Sequence, residues 1–246
     1  FLFTVALGAR LKDSLIGDEK VKGISILINE FKVFCAPLVI SGIVSFVYSF
    51  ADLWLLQKYG GAVQQGFYSI GSRFSNICLL ATVSILNIFW KEITAANSQG
   101  DKERLRRLYI MISRGVYFFN AVLCCFLIPF SKEIMSIFLG AQYESGWPCL
   151  AIMFLYPLAQ SLGQINGSYL LATGKTKIYS VVIVIISVFS IVVAYFLLAP
   201  RTNQIPGLYL GSVGLAIKMV ALGMIGVNVL TYFICKVSGW KLDIWN

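Results

Sequence analysis

Six stretches of mostly apolar residues set the strongest limit on what this chain can fold into. A bilayer core about 30 Å thick is crossed by about 20 apolar residues of helix, and lipid admits only helices or closed barrels. No stretch alternates polar and apolar residues as a barrel strand does. The sequence therefore predicts an all-α polytopic membrane protein with six transmembrane helices. The predicted spans cover approximately residues 33–51, 66–90, 109–130, 148–171, 178–199 and 208–235.

The composition agrees with a chain that meets lipid. Hydrophobic residues make up 58% of the chain and charged residues 13%, whereas an average globular chain is roughly 25% charged. Histidine is absent and the six cysteines form no CxxC pair. The sequence therefore offers no histidine-based triad, no metal site and no disulfide framework. We expect neither an enzyme nor a cofactor-binding protein.

The distribution of basic residues predicts the orientation. Segments 10–32, 91–108, 172–177 and 236–246 hold 14 of the 20 Lys and Arg residues, and the opposite loops hold three. By the positive-inside rule the first set is cytoplasmic, so we expect both ends of the chain inside. This excess explains the formal net charge of +9. No continuous basic face with interleaved aromatic residues is present, so we expect no nucleic-acid partner.

Three cations remain inside the predicted spans: Arg73, Arg114 and Lys218. Asp52 falls at the outer end of the first span, where a helix-end residue or a partner of Arg73 is favoured over a proton relay, so no carboxylate is expected in a span interior. A cation at the bilayer centre costs about 2.5–3.5 kcal/mol on insertion scales. We expect the three cations to converge on a shared cavity, although Arg114 is close enough to the boundary to snorkel.

Polar residues recur at helical spacing in three of the spans, as one stripe down the second span and as shorter faces in the third and fourth. Such stripes face one another or a water-filled cavity, and Asn and Gln also bond neighbouring helices together. The stripe in the second span comprises Ser69, Arg73, Asn76, Ser84 and Asn87. With the cations, the candidate substrate-binding residues are Arg73, Arg114, Lys218, Asn76, Asn120, Tyr156, Gln160 and Gln164.

Two local patterns refine this topology. In segment 131–147 the residues Ile134, Ile137 and Phe138 follow the i, i+3, i+4 spacing of a short amphipathic helix at the membrane surface. The fourth span contains Pro148, Pro157 and the cluster Gly163–Gly167. A proline removes a backbone hydrogen bond, and small residues let helices approach closely, so we expect this span to be kinked and closely packed.

Several short motifs, in a fixed order, carry a resemblance to a known family. Asp52-Leu-Trp-Leu-Leu precedes Gly66-Phe-Tyr-Ser-Ile-Gly-Ser-Arg73, and Ile137-Phe-Leu-Gly140, Tyr143, Trp147-Pro148 and Leu171-Ala-Thr-Gly-Lys175 follow. Over about residues 28–236 the chain resembles the multidrug/oligosaccharidyl-lipid/polysaccharide exporter superfamily. It is most similar to the bacterial polysaccharide flippases of O-antigen and capsule.

The resemblance implies a transporter built from two six-helix lobes, of which this chain supplies the C-terminal one. Residues 1–9 would be the end of a preceding transmembrane helix and residues 10–32 a cytoplasmic connection between lobes. Residues 33–235 would form the MATE-like lobe and residues 236–246 a cytoplasmic tail. The N-terminal lobe is the first implied partner.

The resemblance also implies a function. A polysaccharide flippase moves undecaprenyl-diphosphate-linked repeat units across the cell inner membrane by alternating access, as lipopolysaccharide synthesis requires. Arg73, Arg114 and Lys218 would attract the diphosphate or acidic sugars of this anionic lipid-linked oligosaccharide. The amides and Tyr156 would bind sugar hydroxyls. Membrane lipids and other polysaccharide assembly proteins would be further partners.

Three alternatives remain. A multidrug and toxin extrusion antiporter of the same superfamily exports cations against Na⁺ or H⁺, for which a buried carboxylate is expected, and none is predicted in these spans. A peptidoglycan lipid flippase would handle a similar anion. A membrane-embedded glycosyltransferase or polymerase would need catalytic loops outside the membrane, and the outer loops here are short.

Overall fold

The computed structural model describes residues 19–202 and 205–240. Within these residues every regular element is helical, which confirms the all-α class. The predicted helix end at 1–9 and residues 241–246 of the predicted tail lie outside the described residues. The elements are α1 (Glu19–Ser98), α2 (Lys102–Leu127), α3 (Ser131–Leu139), a 3₁₀ helix (Ala141–Gly146), α4 (Trp147–Met153), α5 (Tyr156–Ala172), α6 (Thr176–Leu198) and α7 (Gly211–Ser238).

Helix α1 is broken at Gly61, which adopts φ 75° and ψ 179°. Only glycine adopts such a conformation without steric cost. Tyr68 lies close enough to interact electrostatically with Asp52 and Tyr48, although a straight helix would hold it about 24 and 30 Å from them. The chain therefore folds back at Gly61 into two packed arms, α1a (19–60) and α1b (62–98).

Five helical segments of the described chain are long and apolar enough to cross a membrane. The first of them, Phe31–Leu80, has 50 residues and contains the break at Gly61, so it supplies two crossings. This division brings the count to the six that the sequence predicts.

The connections are shorter than the sequence predicts. No loop separates the first two spans except the break at Gly61, and the predicted loop 91–108 shrinks to residues 99–101. Gly100 ends α1 with a positive φ, and the side chain of Asp101 caps α2 by accepting from Arg104 N at 2.9 Å. Hydropathy shows where the apolar residues stop. These helices extend beyond that point into polar sequence and end only where a capping residue terminates them. Residues 19–32, in the predicted connection between lobes, are likewise helical.

Pro157 kinks the fourth span as predicted, because α4 ends at Met153 and α5 begins at Tyr156. Pro157 has no N–H to donate to the carbonyl of Met153. The hydroxyl of Ser75 on α1b donates to that carbonyl at 2.5 Å, and Cys124 Sγ on α2 lies 2.7 Å from the next carbonyl, that of Phe154. Both neighbouring helices thus satisfy backbone groups that the proline frees.

The predicted amphipathic helix at 131–147 is present as α3 followed by the 3₁₀ helix. Ile137 and Phe138 are largely exposed, whereas Met135 is buried. Gly146 closes this segment onto α1b, since a Cβ there would lie 2.5 Å from the ring of Phe67 and 2.8 Å from Met135.

The two ends of the bundle are packed with apolar side chains. At the end that carries the 99–101 turn, a cluster around Phe89, Ile165 and Ile234 fills the space between helices. At the Gly61 end, a second cluster contains Leu56 and Leu215.

Candidate functional site

A cavity of about 280 Å³ occupies the middle of the bundle, between α1a, α5, α6 and α7. Four of the predicted site residues line it: Tyr156, Gln160, Gln164 and Lys218. The first three lie one turn apart on α5, so one face of that helix presents them together. Gly223 and Gly226 on α7 also line the cavity, and their missing side chains leave part of its space open.

Lys218 in the cavity wall forms a buried ion pair with Asp52. Lys218 Nζ donates to Asp52 Oδ2, and the two residues are 1% and 3% exposed. The same ammonium group lies 5.6 Å from the centre of the Tyr48 ring. The second carboxylate oxygen, Asp52 Oδ1, is buried without a hydrogen-bond partner in the described protein.

The position of Asp52 corrects the sequence interpretation. It is neither an interfacial helix end nor the partner of Arg73, because α1a continues to Gly60 and places Asp52 inside the bundle. The prediction that no carboxylate lies inside a span is therefore wrong. Lys218 is not a free cation but one half of a neutral pair.

The three cations do not converge, which contradicts the expected shared cavity. Lys218 lines it, whereas Arg73 on α1b and Arg114 on α2 are exposed on the outside of this lobe. Asn76 is exposed beside Arg73. Helical spacing grouped these residues correctly within each helix, but it could not show which way each face points.

Asn120 is buried but contacts protein rather than the cavity. Its amide nitrogen lies 2.9 Å from the Val116 carbonyl oxygen and 3.4 Å from both Thr82 Oγ1 and Ser161 Oγ. It therefore joins α2 to α1b and α5, as expected for an Asn that bonds neighbouring transmembrane helices together.

Sequence reasoning missed several polar residues that line the cavity. Ser45 and Tyr48 lie on α1a, and Ser187 and Ser190 lie on α6. Each pair has the i, i+3 spacing of one helix face. That spacing was a usable signal in otherwise apolar spans.

A hydrogen-bonded network joins the helices at the end of the bundle that carries the 99–101 turn. Tyr109 donates to Asn166 Oδ1 at 2.6 Å, and Asn166 Nδ2 donates to Thr231 Oγ1 at 3.0 Å. Trp240 packs against the rings of Tyr109 and Tyr169. These contacts join α2, α5 and α7 at the end that the basic residues predict to be cytoplasmic.

Comparison with known proteins places the chain in a family. The MatE family model matches residues 37–196. A search of the curated proteins finds no match.

Solved structures share this fold. MATE in the bent conformation aligns with a TM-score of 0.74 at 13% identity, covering 93% of this chain and 48% of that one. An outward-facing multidrug resistance MATE family transporter of the MOP superfamily aligns with a TM-score of 0.71 at 14% identity, covering 83% and 44%.

A MOP superfamily transporter from Pyrococcus furiosus Vc1 (DSM3638), whose reverse polarity of the binding pocket suggests a different function, aligns with a TM-score of 0.72 at 14% identity, covering 93% and 49%. The chain thus spans about half the length of the transporters it matches. With the MatE model matching most of its length and this helical arrangement shared with solved MATE structures, the chain belongs to the MatE family of transporters.

Proposed function

We propose that this chain is one lobe of a multidrug and toxin extrusion antiporter, which exports organic cations by alternating access and couples export to H⁺ or Na⁺ through Asp52. The observation that carries the proposal is the buried carboxylate beside the cavity, since cation coupling needs such a group. The family and the fold support a transporter. That the substrate is an organic cation and that H⁺ or Na⁺ drives its export are parts of the proposal.

Two unpartnered acceptors lie in and beside the cavity wall, where the positive charge of Lys218 is already paired. Gln164 lines the cavity and Asp52 is bonded to the lining Lys218, and Asp52 Oδ1 and Gln164 Oε1 are both buried without hydrogen-bond partners in the described protein. Unpartnered buried acceptors favour a ligand that supplies donors or positive charge. The rings of Tyr48 and Tyr156 add aromatic surface of the kind that binds organic cations.

The ion pair gives the lobe two charge states. While Asp52 is ionised, Lys218 neutralises its charge. A proton or Na⁺ that binds to the carboxylate breaks the ion pair and leaves the ammonium group of Lys218 unpaired. Because an unpaired buried charge costs about 3–5 kcal/mol, Lys218 then favours a different helix arrangement, and it also repels an organic cation. Ion entry and substrate release are thereby coupled.

Uptake of a fluorescent organic cation into vesicles that contain the full-length protein tests the substrate class. We expect an imposed proton or Na⁺ gradient to drive accumulation, and Gln164→Leu to weaken it about tenfold. Asn228→Leu is the matched control, because the Asn228 amide is exposed and bonds only to its own helix at Met224 O. Equal accumulation by Gln164→Leu and wild type would contradict this cavity as the binding site.

A second candidate is the lipid-linked oligosaccharide flippase. The observation that favours it is the polar stripe on α1b, where Arg73, Asn76, Ser84 and Asn87 are exposed in this lobe. Such a stripe does not face lipid, so in the complete transporter it would line the cleft between lobes. A cation there suits a diphosphate. The inner membrane location and the polysaccharide assembly partners belong to this candidate.

Surface polysaccharide in a strain that lacks the protein distinguishes the two candidates. Under the flippase hypothesis, full-length wild type restores it and Arg73→Ala does not, at equal protein abundance. Under the antiporter hypothesis, neither version affects surface polysaccharide, and both export the organic cation.

A further inference from the structure

Three arginines lie on one face of α2 outside the cavity. Arg106, Arg107 and Arg114, together with Glu103, line a shallow surface groove of about 600 Å³, and Ile110 and Met111 line it as well. The i, i+3, i+4, i+7 spacing places all of these residues on one side of the helix. Three cations here face a single carboxylate.

The outer face of α2 beyond this groove is apolar and exposed. Phe118, Val122 and Phe126 continue the line of Met111 and Arg114, and Phe118 is 70% exposed. Helix α2 is among the segments apolar enough to cross a membrane. Unlike the polar stripe of α1b, this apolar face suits contact with lipid, which would place Arg114 beside acyl chains.

Among the described residues, Arg114 has no counter-ion at this depth. It lies about 18 Å along the helix from the start of α2 and about 10 Å beyond Arg107. The ion pairs found among the described residues involve neither of these two arginines. Helical side chains point back toward the N-terminus of their helix, so Arg114 extends toward Arg107.

We propose that this groove binds an anionic phospholipid of the cytoplasmic leaflet. Its headgroup phosphate lies between Arg107 and Arg114, and one acyl chain follows Met111 and Phe118. Arginine suits this role because its planar guanidinium binds phosphate oxygens through two parallel hydrogen bonds. The bound phosphate supplies the negative charge that Arg114 requires in the membrane.

This lipid is bound to the outside of the lobe and is not the cargo. No residue of α2 lines the cavity between α1a, α5, α6 and α7. The site therefore stands independently of both candidate functions.

Native mass spectrometry of the full-length protein with phosphatidylglycerol tests the proposal. An arginine near a membrane surface contributes about 1 kcal/mol to binding of an anionic lipid, or about fivefold in affinity. We expect Arg107→Gln/Arg114→Gln to weaken phosphatidylglycerol binding about 25-fold. Arg104→Gln is the matched control on the same helix, since Arg104 pairs with Glu92 at 2.7 Å outside the groove. Phosphatidylcholine binding should not change in either variant.

Further measurements distinguish a bound phospholipid from soluble phosphate and from the other lobe of the transporter. Arg114→Lys keeps the charge but not the two parallel hydrogen bonds, so it should fold and bind phosphatidylglycerol more weakly than wild type and more tightly than the double variant. Displacement of the lipid by millimolar inorganic phosphate would identify a soluble-phosphate site and overturn the proposal. Equal phosphatidylglycerol binding by the double variant and the control would overturn it too, as would disulfide crosslinking of Arg114→Cys to cysteines in the other lobe.

Discussion

Lys218 and Asp52 are 166 residues apart in the chain and form an ion pair inside the helical bundle. Their side chains are 0% and 5% exposed. The pair joins α7 to α1a, which are the last and the first spans of this lobe. A buried pair of this kind costs desolvation energy and gives little net stability. A role in transport therefore explains its presence better than a role in stability does.

Replacing one partner of this pair should destabilise the lobe more than replacing both. Lys218→Met leaves Asp52 buried without a partner, and we expect a loss of about 3–5 kcal/mol. The double variant Asp52→Leu/Lys218→Met carries no buried charge and should regain most of that loss, without regaining transport. Thermal unfolding of the full-length protein in detergent measures both effects. A double variant less stable than Lys218→Met would show that the pair itself stabilises the bundle.

The kink at Pro157 predicts a specific coupling with Ser75. In wild type, Ser75→Ala removes the hydroxyl that satisfies the Met153 carbonyl, and we expect a loss of about 1 kcal/mol. In a Pro157→Ala background residue 157 has an N–H for the same carbonyl, so Ser75→Ala should cost little. A double-mutant cycle on unfolding free energies measures the difference. Equal costs in both backgrounds would mean that the hydroxyl does not replace the missing backbone bond.

The close approach at Gly146 predicts that a single methyl group is harmful there. Gly146→Ala places Cβ against Phe67 and Met135, and overpacking of this kind costs about 1–3 kcal/mol. Gly66→Ala is the matched control, because nothing lies within 4 Å of its added Cβ. That helical position should gain up to about 1 kcal/mol. Similar melting temperatures for both variants would contradict the packing at Gly146.

The charge distribution predicts which end of the bundle is cytoplasmic. In a background without native cysteines, Glu103→Cys should resist a membrane-impermeant thiol reagent in intact cells, whereas Lys132→Cys should react. Both positions are exposed, so accessibility within the protein does not limit labelling. Labelling of Glu103→Cys from outside, with Lys132→Cys protected, would reverse the orientation.

The sequence predicted the features that depend on neighbouring residues. The count of spans, the kink at Pro157 and the short helix at 131–139 all follow from apolar length, a missing N–H and helical spacing. The spacing of Tyr156, Gln160 and Gln164 likewise identified one wall of the cavity. These properties are encoded within one or two helical turns.

Features that depend on distant residues were not predictable. Nothing near Asp52 indicates that Lys218 will lie beside it, and the apolar boundary near residue 51 suggested the membrane surface instead. Arg73 and Arg114 lie inside predicted spans, as Lys218 does. Only the packing of the helices turns Lys218 inward and the two arginines outward.

Ion flux driven by substrate tests most directly whether Asp52 couples transport to an ion. Vesicles that contain the full-length protein receive an organic cation, and proton or Na⁺ movement is followed beside substrate binding. We expect Asp52→Asn, which neutralises the carboxylate and leaves Lys218 unpaired, to lose the ion flux and to bind the organic cation more weakly, and Asp52→Glu to restore part of both. Glu92→Gln, which breaks the exposed pair with Arg104, should behave as wild type. Undiminished ion flux in Asp52→Asn would contradict the proposed coupling.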